Sequence, residues 1–251
     1  MKTARAMSIA GFAFALGLMC TAITQATTIN ELESGGTATN NSIGTAQTIP
    51  GSAFTLPVPA TVFNPPGFPT ATIVGQGGST DIDFYSFTAT GGQIYIDIDN
   101  NPQTFDPILS LFNSAGTLLA DDDDTFPLDS GSASIADPFI GVFTLPGAGT
   151  YFIAVTTFPN RASVLLSGGG CSSINLTRPD GGFGGTADAG CQVGNTNFAS
   201  NGSEPVDGSA YTMHVSVQNP SQIQGRVPEP ASILLLGSGL LGLALGWKKA
   251  N

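Results

Sequence analysis

Basic side chains are scarce in this chain: seven Lys and Arg stand against eighteen Asp and Glu in 251 residues, for a net charge of −11. Lys2 and Arg5 lie at one end and Lys248 and Lys249 at the other, which leaves Arg161, Arg178 and Arg226 as the strong bases between them. Such an acidic body repels nucleic acid and anionic lipid, and no nucleic-acid partner is expected. It is compatible with divalent cations. Histidine occurs once, as His214, whereas hydrolytic zinc sites normally need two or three. A nucleophilic triad would have to form around that one residue, and the sequence contains no Gly-x-Ser-x-Gly elbow. Paired carboxylates of the glycosidase kind remain a remote alternative, because seventeen acids (all but Glu229) make such pairs by chance. An enzyme is therefore not expected. The single Trp, Trp247, lies in the C-terminal apolar stretch, and the four Tyr lie in strand-like segments. The exposed aromatic platforms of a sugar-binding protein are thus also scarce.

The two ends are built differently from the middle. Lys2 and Arg5 precede an apolar segment, residues 6–22, and Thr24-Gln25-Ala26 offers a small-x-small cleavage site. Residues 1–26 therefore read as a signal peptide, with a mature start near Thr27. Cys20 follows Leu18-Met19 rather than the small residues lipidation requires, so it leaves with the signal. At the other end Val227-Pro228-Glu229-Pro230 precedes an uncharged apolar span, 231–247, closed by Lys248 and Lys249. Seventeen residues at about 1.5 Å each give about 25 Å of helix, enough for a thin hydrocarbon core. The Lys pair should stay cytoplasmic. A buried C-terminal helix or a plain tail anchor are the competing readings. The order of motif, span and basic stop closely resembles the PEP-CTERM sorting signal of exopolysaccharide-producing Gram-negative bacteria, with Lys where that family often has Arg. The resemblance implies an exosortase-type processing enzyme as partner, removal of the helix near the motif, and only transient membrane contact. It places the mature protein at the cell surface, in the envelope or in the extracellular matrix, among polysaccharide or matrix components.

Between the ends, strand patterns dominate and no convincing helical period appears. Residues 81–88, a Gly91-Gly92 turn and residues 93–99 read as a hairpin. Ile94, Ile96 and Ile98 take one face, while Tyr95, Asp97 and Asp99 take the other, expected to face water. Residues 108–112 and 117–120 flank a tight turn, as do 139–145 and 151–156. Residues 211–217 read as a closing strand, with Tyr211, Met213, Val215 and Val217 inward and His214 outward. Two segments interrupt the strands. Residues 50–70 are proline-rich, with six prolines from Pro50 to Pro69. Residues 168–208 are rich in Gly, Ser and Asn and read as a long loop. This loop holds Cys171 and Cys191, which in an exported chain are expected to pair. Closing that loop would contribute about 3 kcal/mol. A metal or catalytic thiol is the alternative, but no His lies near them in sequence. The fold expected is all-β, a jelly-roll-like antiparallel sandwich over residues 27–226.

Four ordered motifs sharpen that expectation. Gly78-Ser-Thr-Asp-Ile-Asp-Phe-Tyr-Ser-Phe87, Asp106-Pro-Ile-Leu-Ser-Leu-Phe112, the stretch from Asn113 to Asp123, and Leu145-Pro-Gly-Ala-Gly-Thr-Tyr-Phe-Ile-Ala-Val155 resemble successive strands of bacterial pre-peptidase C-terminal domains. The resemblance implies a jelly-roll sandwich, and calcium or polymer binding in some members. The family's calcium sites draw on an N-terminal Glu-x-Asn-Asp/Asn segment and an Asp pair. Here Asn40-Asn41 is present, Ala38 stands at the Glu place, and Glu31 or Glu33 would have to substitute. Asp81 and Asp83, two apart and so on one side of a strand start, make a calcium candidate with Asn41. The Asp121–Asp124 run offers more oxygens, although it does not fit an EF-hand. Solvated strand-end carboxylates are the alternative. The sequence thus points to a non-catalytic exported structural or adhesive protein, or else to a calcium-stabilised module binding an extracellular polysaccharide or protein.

Overall fold

The computed structural model describes residues 28–32, 40–56, 67–78, 81–99, 105–165, 172–189, 191–193 and 209–221. Both terminal segments lie outside these residues, with the sorting motif Val227–Pro230 and the Lys248-Lys249 stop, as do Glu33 and Cys171. The described strands are β1 (Thr28–Asn30), β2 (Gln47–Thr48), β3 (Thr70–Gly77), β4 (Asp83–Ala89), β5 (Gly92–Asp99), β6 (Pro107–Asn113), β7 (Leu118–Asp122), β8 (Phe139–Leu145), β9 (Gly149–Thr157), β10 (Ser163–Leu165), β11 (Ser172–Thr177), β12 (Phe183–Ala189), β13 (Cys191–Val193) and β14 (Ser209–Val217). They form a five-stranded sheet, β1-β3-β14-β5-β8, a seven-stranded sheet, β11-β12-β7-β6-β9-β4-β2, and a β10-β13 pair. Pairing is antiparallel except for β1 with β3 and β2 with β4. The all-β sandwich expected from the sequence is what forms. No helix among the described residues is long and apolar enough to cross a membrane.

Alternation along the strands builds the core, because residues two apart share a face. Ile94, Ile96 and Ile98 of β5 and Tyr211, Met213, Val215 and Val217 of β14 face Tyr85, Phe87, Leu109, Leu111, Ile153 and Val155 of the other sheet, all buried. A smaller cluster of Ile82, Phe84, Phe112, Leu118, Ala154 and Ala162 is buried apart from this core.

Three sequence expectations change. The Gly91-Gly92 turn does not close a hairpin: β4 pairs with β2 and β9, whereas β5 pairs with β14 and β8. Gly91 and Gly92, at φ of 106° and 93°, instead carry the chain from one sheet to the other. The 139–156 segment crosses in the same way, while β6 and β7 form a true hairpin. The reason is that two amphipathic strands bury their apolar faces against each other more completely across a sandwich than side by side. The segment expected as a loop over 168–208 contributes β11, β12 and β13, and β12 extends the larger sheet by pairing with β7. Finally, the face of β5 expected to meet water is covered: Tyr95, Asp97 and Asp99 are all buried, as is His214.

Candidate functional site

The first cluster of polar side chains gathers where β4 begins. Asp83 is 1% exposed, and its Oδ2 accepts a 2.7 Å hydrogen bond from the Tyr211 hydroxyl. The Tyr211 and Tyr85 hydroxyl oxygens are 2.7 Å apart, and Tyr85 donates to Glu31 Oε1 at 3.2 Å. Asn40 Nδ2 donates to the same Glu31 oxygen at 3.2 Å, and the Gln76 amide donates to Glu31 Oε2 at 2.8 Å. Three oxygen–oxygen links therefore join Glu31, Tyr85, Tyr211 and Asp83 in a row, but two phenols carry only two protons. A proton on Asp83 would supply the third, with Asp83 then donating to Tyr211 and Tyr211 to Tyr85. The electrostatics agree: burial, then the hydrogen bond and charge of Glu31, push the Asp83 carboxyl far above its ordinary range, against a smaller opposing effect of Tyr211.

Of the residues singled out for calcium, the structure therefore buries Asp83 in this network and sets Asp81 beside it, close enough for its charge to raise Asp83. Asp81 Oδ1 accepts the Ile82 amide at 3.0 Å. Asn41 follows Asn40, whose carbonyl accepts the Phe84 amide at 2.9 Å, so the Asn pair is docked at the β4 start. Three buried oxygens there have no hydrogen-bond partner: Asn40 Oδ1, Asn41 Oδ1 and Asp83 Oδ1. Glu31, the upstream candidate, is brought in by the parallel β1–β3 pairing, which its own amide continues by donating to the Val74 carbonyl.

A second cluster, which sequence reasoning missed as a group, lies on the outer face of the five-stranded sheet. Asp97 and Asp99 of β5 stand opposite His214 and Thr212 of β14. Asp129 joins them from the segment between β7 and β8, with carboxylate oxygens of all three within 4.8 Å of one another. Arg178, from the β11–β12 turn, donates to Asp129 at 3.2 Å and to both oxygens of Asp180, and its guanidinium lies 5.6 Å from the Phe139 ring centre. His214 Nδ1 is 3.0 Å from Thr72 Oγ1, and Nε2 is 3.5 Å from Asp99. Burial lowers the His214 pKa to about 4, so the ring is neutral at pH 7. The detectable signal was the alternation itself, which put two carboxylates on one face of a central strand. What covers that face comes from 30 to 80 residues further along the sequence.

The Asp121–Asp124 run is divided among tasks. Asp121 accepts from Thr186 at 2.7 Å and pairs with Arg161, which also reaches Asp123 at 3.1 Å. Asp122 is buried and accepts from Thr125 and from the Phe139 amide, both at 2.8 Å. Asp123 and Asp124 approach Asp106. Cys191 opens β13, but Cys171 lies outside the described residues, so the structure does not describe their pairing. Away from these acids, a cleft of about 590 Å³ is lined by Thr48, Ser52, Ser86, Thr88 and Thr150 among others.

Two sheets packed face to face in this order define a β-sandwich module. Comparison with known families makes the class specific. Residues 81–157, from the start of β4 to the end of β9, match the bacterial pre-peptidase C-terminal domain. Residues 226–249 match the PEP-CTERM protein-sorting motif. The chain therefore carries a pre-peptidase C-terminal-type sandwich together with a PEP-CTERM signal, and it is an exosortase-sorted extracellular protein. No curated protein matches it.

Proposed function

We propose that the mature protein is a non-catalytic structural or adhesive module of the extracellular matrix or cell surface, handed over by exosortase-type processing after transient anchoring in the inner membrane. The observation that carries the non-catalytic part is the state of His214, the sole histidine. It is 8% exposed, held neutral and tied between Thr72 and Asp99, which makes it a poor general base. The hydroxyl-lined cleft at Thr48, Ser86, Thr88 and Thr150 supports contact with a polysaccharide, since hydroxyls of both partners can exchange hydrogen bonds there. Intact mass of the protein recovered from culture medium and envelope tests the sorting. The expected mass lacks residues 1–26 and the helix 231–247, and is 2 Da lighter than the reduced form if Cys171 and Cys191 pair. An exported form that keeps residues 231–251 would overturn the reading.

The second reading is a calcium-stabilised binding module. The buried oxygens of Asn40, Asn41 and Asp83, without hydrogen-bond partners and next to Glu31 and Asp81, favour it. An oxygen-only donor set of this kind suits a hard cation. Calcium there would replace the carboxyl proton that the Glu31–Asp83 row otherwise needs.

A further inference from the structure

The second cluster is a stranger place for carboxylates than the first. Asp97 is 2% exposed and neither of its oxygens has a hydrogen-bond partner. Asp99 is 1% exposed, and its Oδ1 is likewise without one. Leaving a buried polar atom unpaired is costly, and leaving a buried carboxylate unpaired costs more. The Asp129 side chain is fully buried in the same place, with Ser132 Oγ at 2.6 Å from one oxygen and Arg178 at 3.2 Å from the other. Each of those oxygens retains a second lone pair. Asp137 stands close enough for its charge to raise both Asp97 and Asp99.

Charge does not balance here. Arg178 is the cation that faces the group, and it is shared with Asp180. His214 is neutral. Among the described residues, four buried carboxylates thus face one divided guanidinium. The geometry suits the missing charge: Ca²⁺ binds oxygen at about 2.3–2.6 Å, so ligands across the ion stand up to about 5 Å apart. Oxygens of Asp97, Asp99 and Asp129 fall within 4.8 Å of one another.

We propose that Asp97, Asp99 and Asp129 form a buried calcium site, separate from the one considered at Asp83, which fastens the segment between β7 and β8 onto the outer face of the five-stranded sheet. The backbone is shaped for that contact. Gly131, at φ 119°, lies so close to the Asp99 carboxylate that a Cβ would overlap it. The ion would neutralise the unpaired oxygens of β5 and join them to Asp129, so that a segment whose large apolar side chains Phe126, Leu128 and Ile135 stay exposed is held down by charge.

The test uses the purified full chain, stripped with EGTA and returned to millimolar calcium. Hydrogen exchange of the unmodified protein should slow about tenfold or more over residues 123–138 on calcium addition. Equilibrium dialysis with radiocalcium should show one equivalent lost in Asp97→Asn and in Asp129→Asn, while Asp83→Asn keeps the calcium-dependent slowing of exchange over residues 123–138. Protection confined to residues 28–32 and 40–43 would overturn the proposal while leaving the first site standing, and so would unchanged stoichiometry in folded Asp97→Asn. Because the exchange measurement needs no variant, a substitution that prevents folding does not blunt it.

Discussion

At the scale of single residues, Asp83 shows how one carboxyl can sit in two chemical states. Without a cation it must share a proton with the row through Tyr211 and Tyr85 to Glu31, since phenol protons alone do not fill the links. Calcium bound there, as proposed, would take the place of that proton on Asp83 and give the Asn40 and Asn41 side-chain oxygens a partner. Calcium at about one hundred times its dissociation constant would stabilise the fold by about 2.7 kcal/mol, or about 5–10 °C in Tm for a domain of this size. The Asp81→Ala/Asp83→Ala variant is expected to lose its share of that shift in thermal scans at millimolar calcium. An unchanged shift in the double variant would sink the reading. Spacing and the family resemblance together singled out Asp81 and Asp83, and the structure sets the two side by side at the start of β4. Glu31 was named only as a substitute, because what brings it beside Asp83 is a parallel pairing with β3, a strand no local pattern announced.

At the scale of elements, the β11–β12 hairpin and the segment between β7 and β8 are tied to each other by a buried charge pair. Arg178 is the link: its side chain is wholly buried, pairs with the equally buried Asp129, and lies over Phe139 of β8. Removing one partner of a buried pair strands the other, typically at about 3–5 kcal/mol. Arg178→Ala is therefore expected to lower stability by that order in urea denaturation, and Arg178→Lys by less, because an ammonium keeps the charge but not the fork to Asp180. A loss below about 1 kcal/mol for Arg178→Ala would show that the hairpin is not fastened this way. This layer was the least legible part of the sequence. Alternation placed Asp97 and Asp99 on the outer face of β5 correctly, yet said nothing of a cover made from Gly-, Ser- and Asp-rich segments far along the chain. Such segments look like loops because they lack apolar alternation: β11 and β12 are ordered by backbone pairing, and the segment between β7 and β8 by bonds to carboxylates and carbonyls that no local pattern announces. The Gly91-Gly92 turn misled for a related reason: positive φ serves a hairpin or a crossing between sheets equally well, and only the apolar faces decide.

At the scale of the whole molecule, an excess of acid and a habit of burying it make stability depend on pH in a direction opposite to the usual one. Most acidic proteins lose stability as carboxylates are protonated. Here burial raises Asp122 to about 7, helped by the Asp121 charge against its hydrogen bonds to Phe139 and Thr125, and raises Asp123 to about 6 despite Arg161. Burial likewise moves Asp83, Asp97 and Asp99 upward when no cation is bound. A carboxyl whose folded pKa exceeds its unfolded value near 3.8 binds its proton more tightly in the folded state. Its contribution is present at low pH and is lost as pH rises through the folded value. His214 acts the other way, since its folded pKa of about 4 lies below the unfolded 6.5, but its cost appears only as pH falls below about 6.5. Self-repulsion from the net charge of −11 adds to the carboxylate trend. The EGTA-stripped protein should therefore lose Tm steadily from about pH 5 toward pH 9, because five raised carboxyls outweigh the one histidine that acts the other way. Calcium should flatten that slope, because an ion replaces protons most effectively where protons are scarce. Thermal scans from pH 5 to 9, with and without calcium, make the comparison. A Tm that rises between pH 6 and 8 in EGTA would mean that the buried carboxyls are ionised and already paired, and would count against cation binding at both clusters.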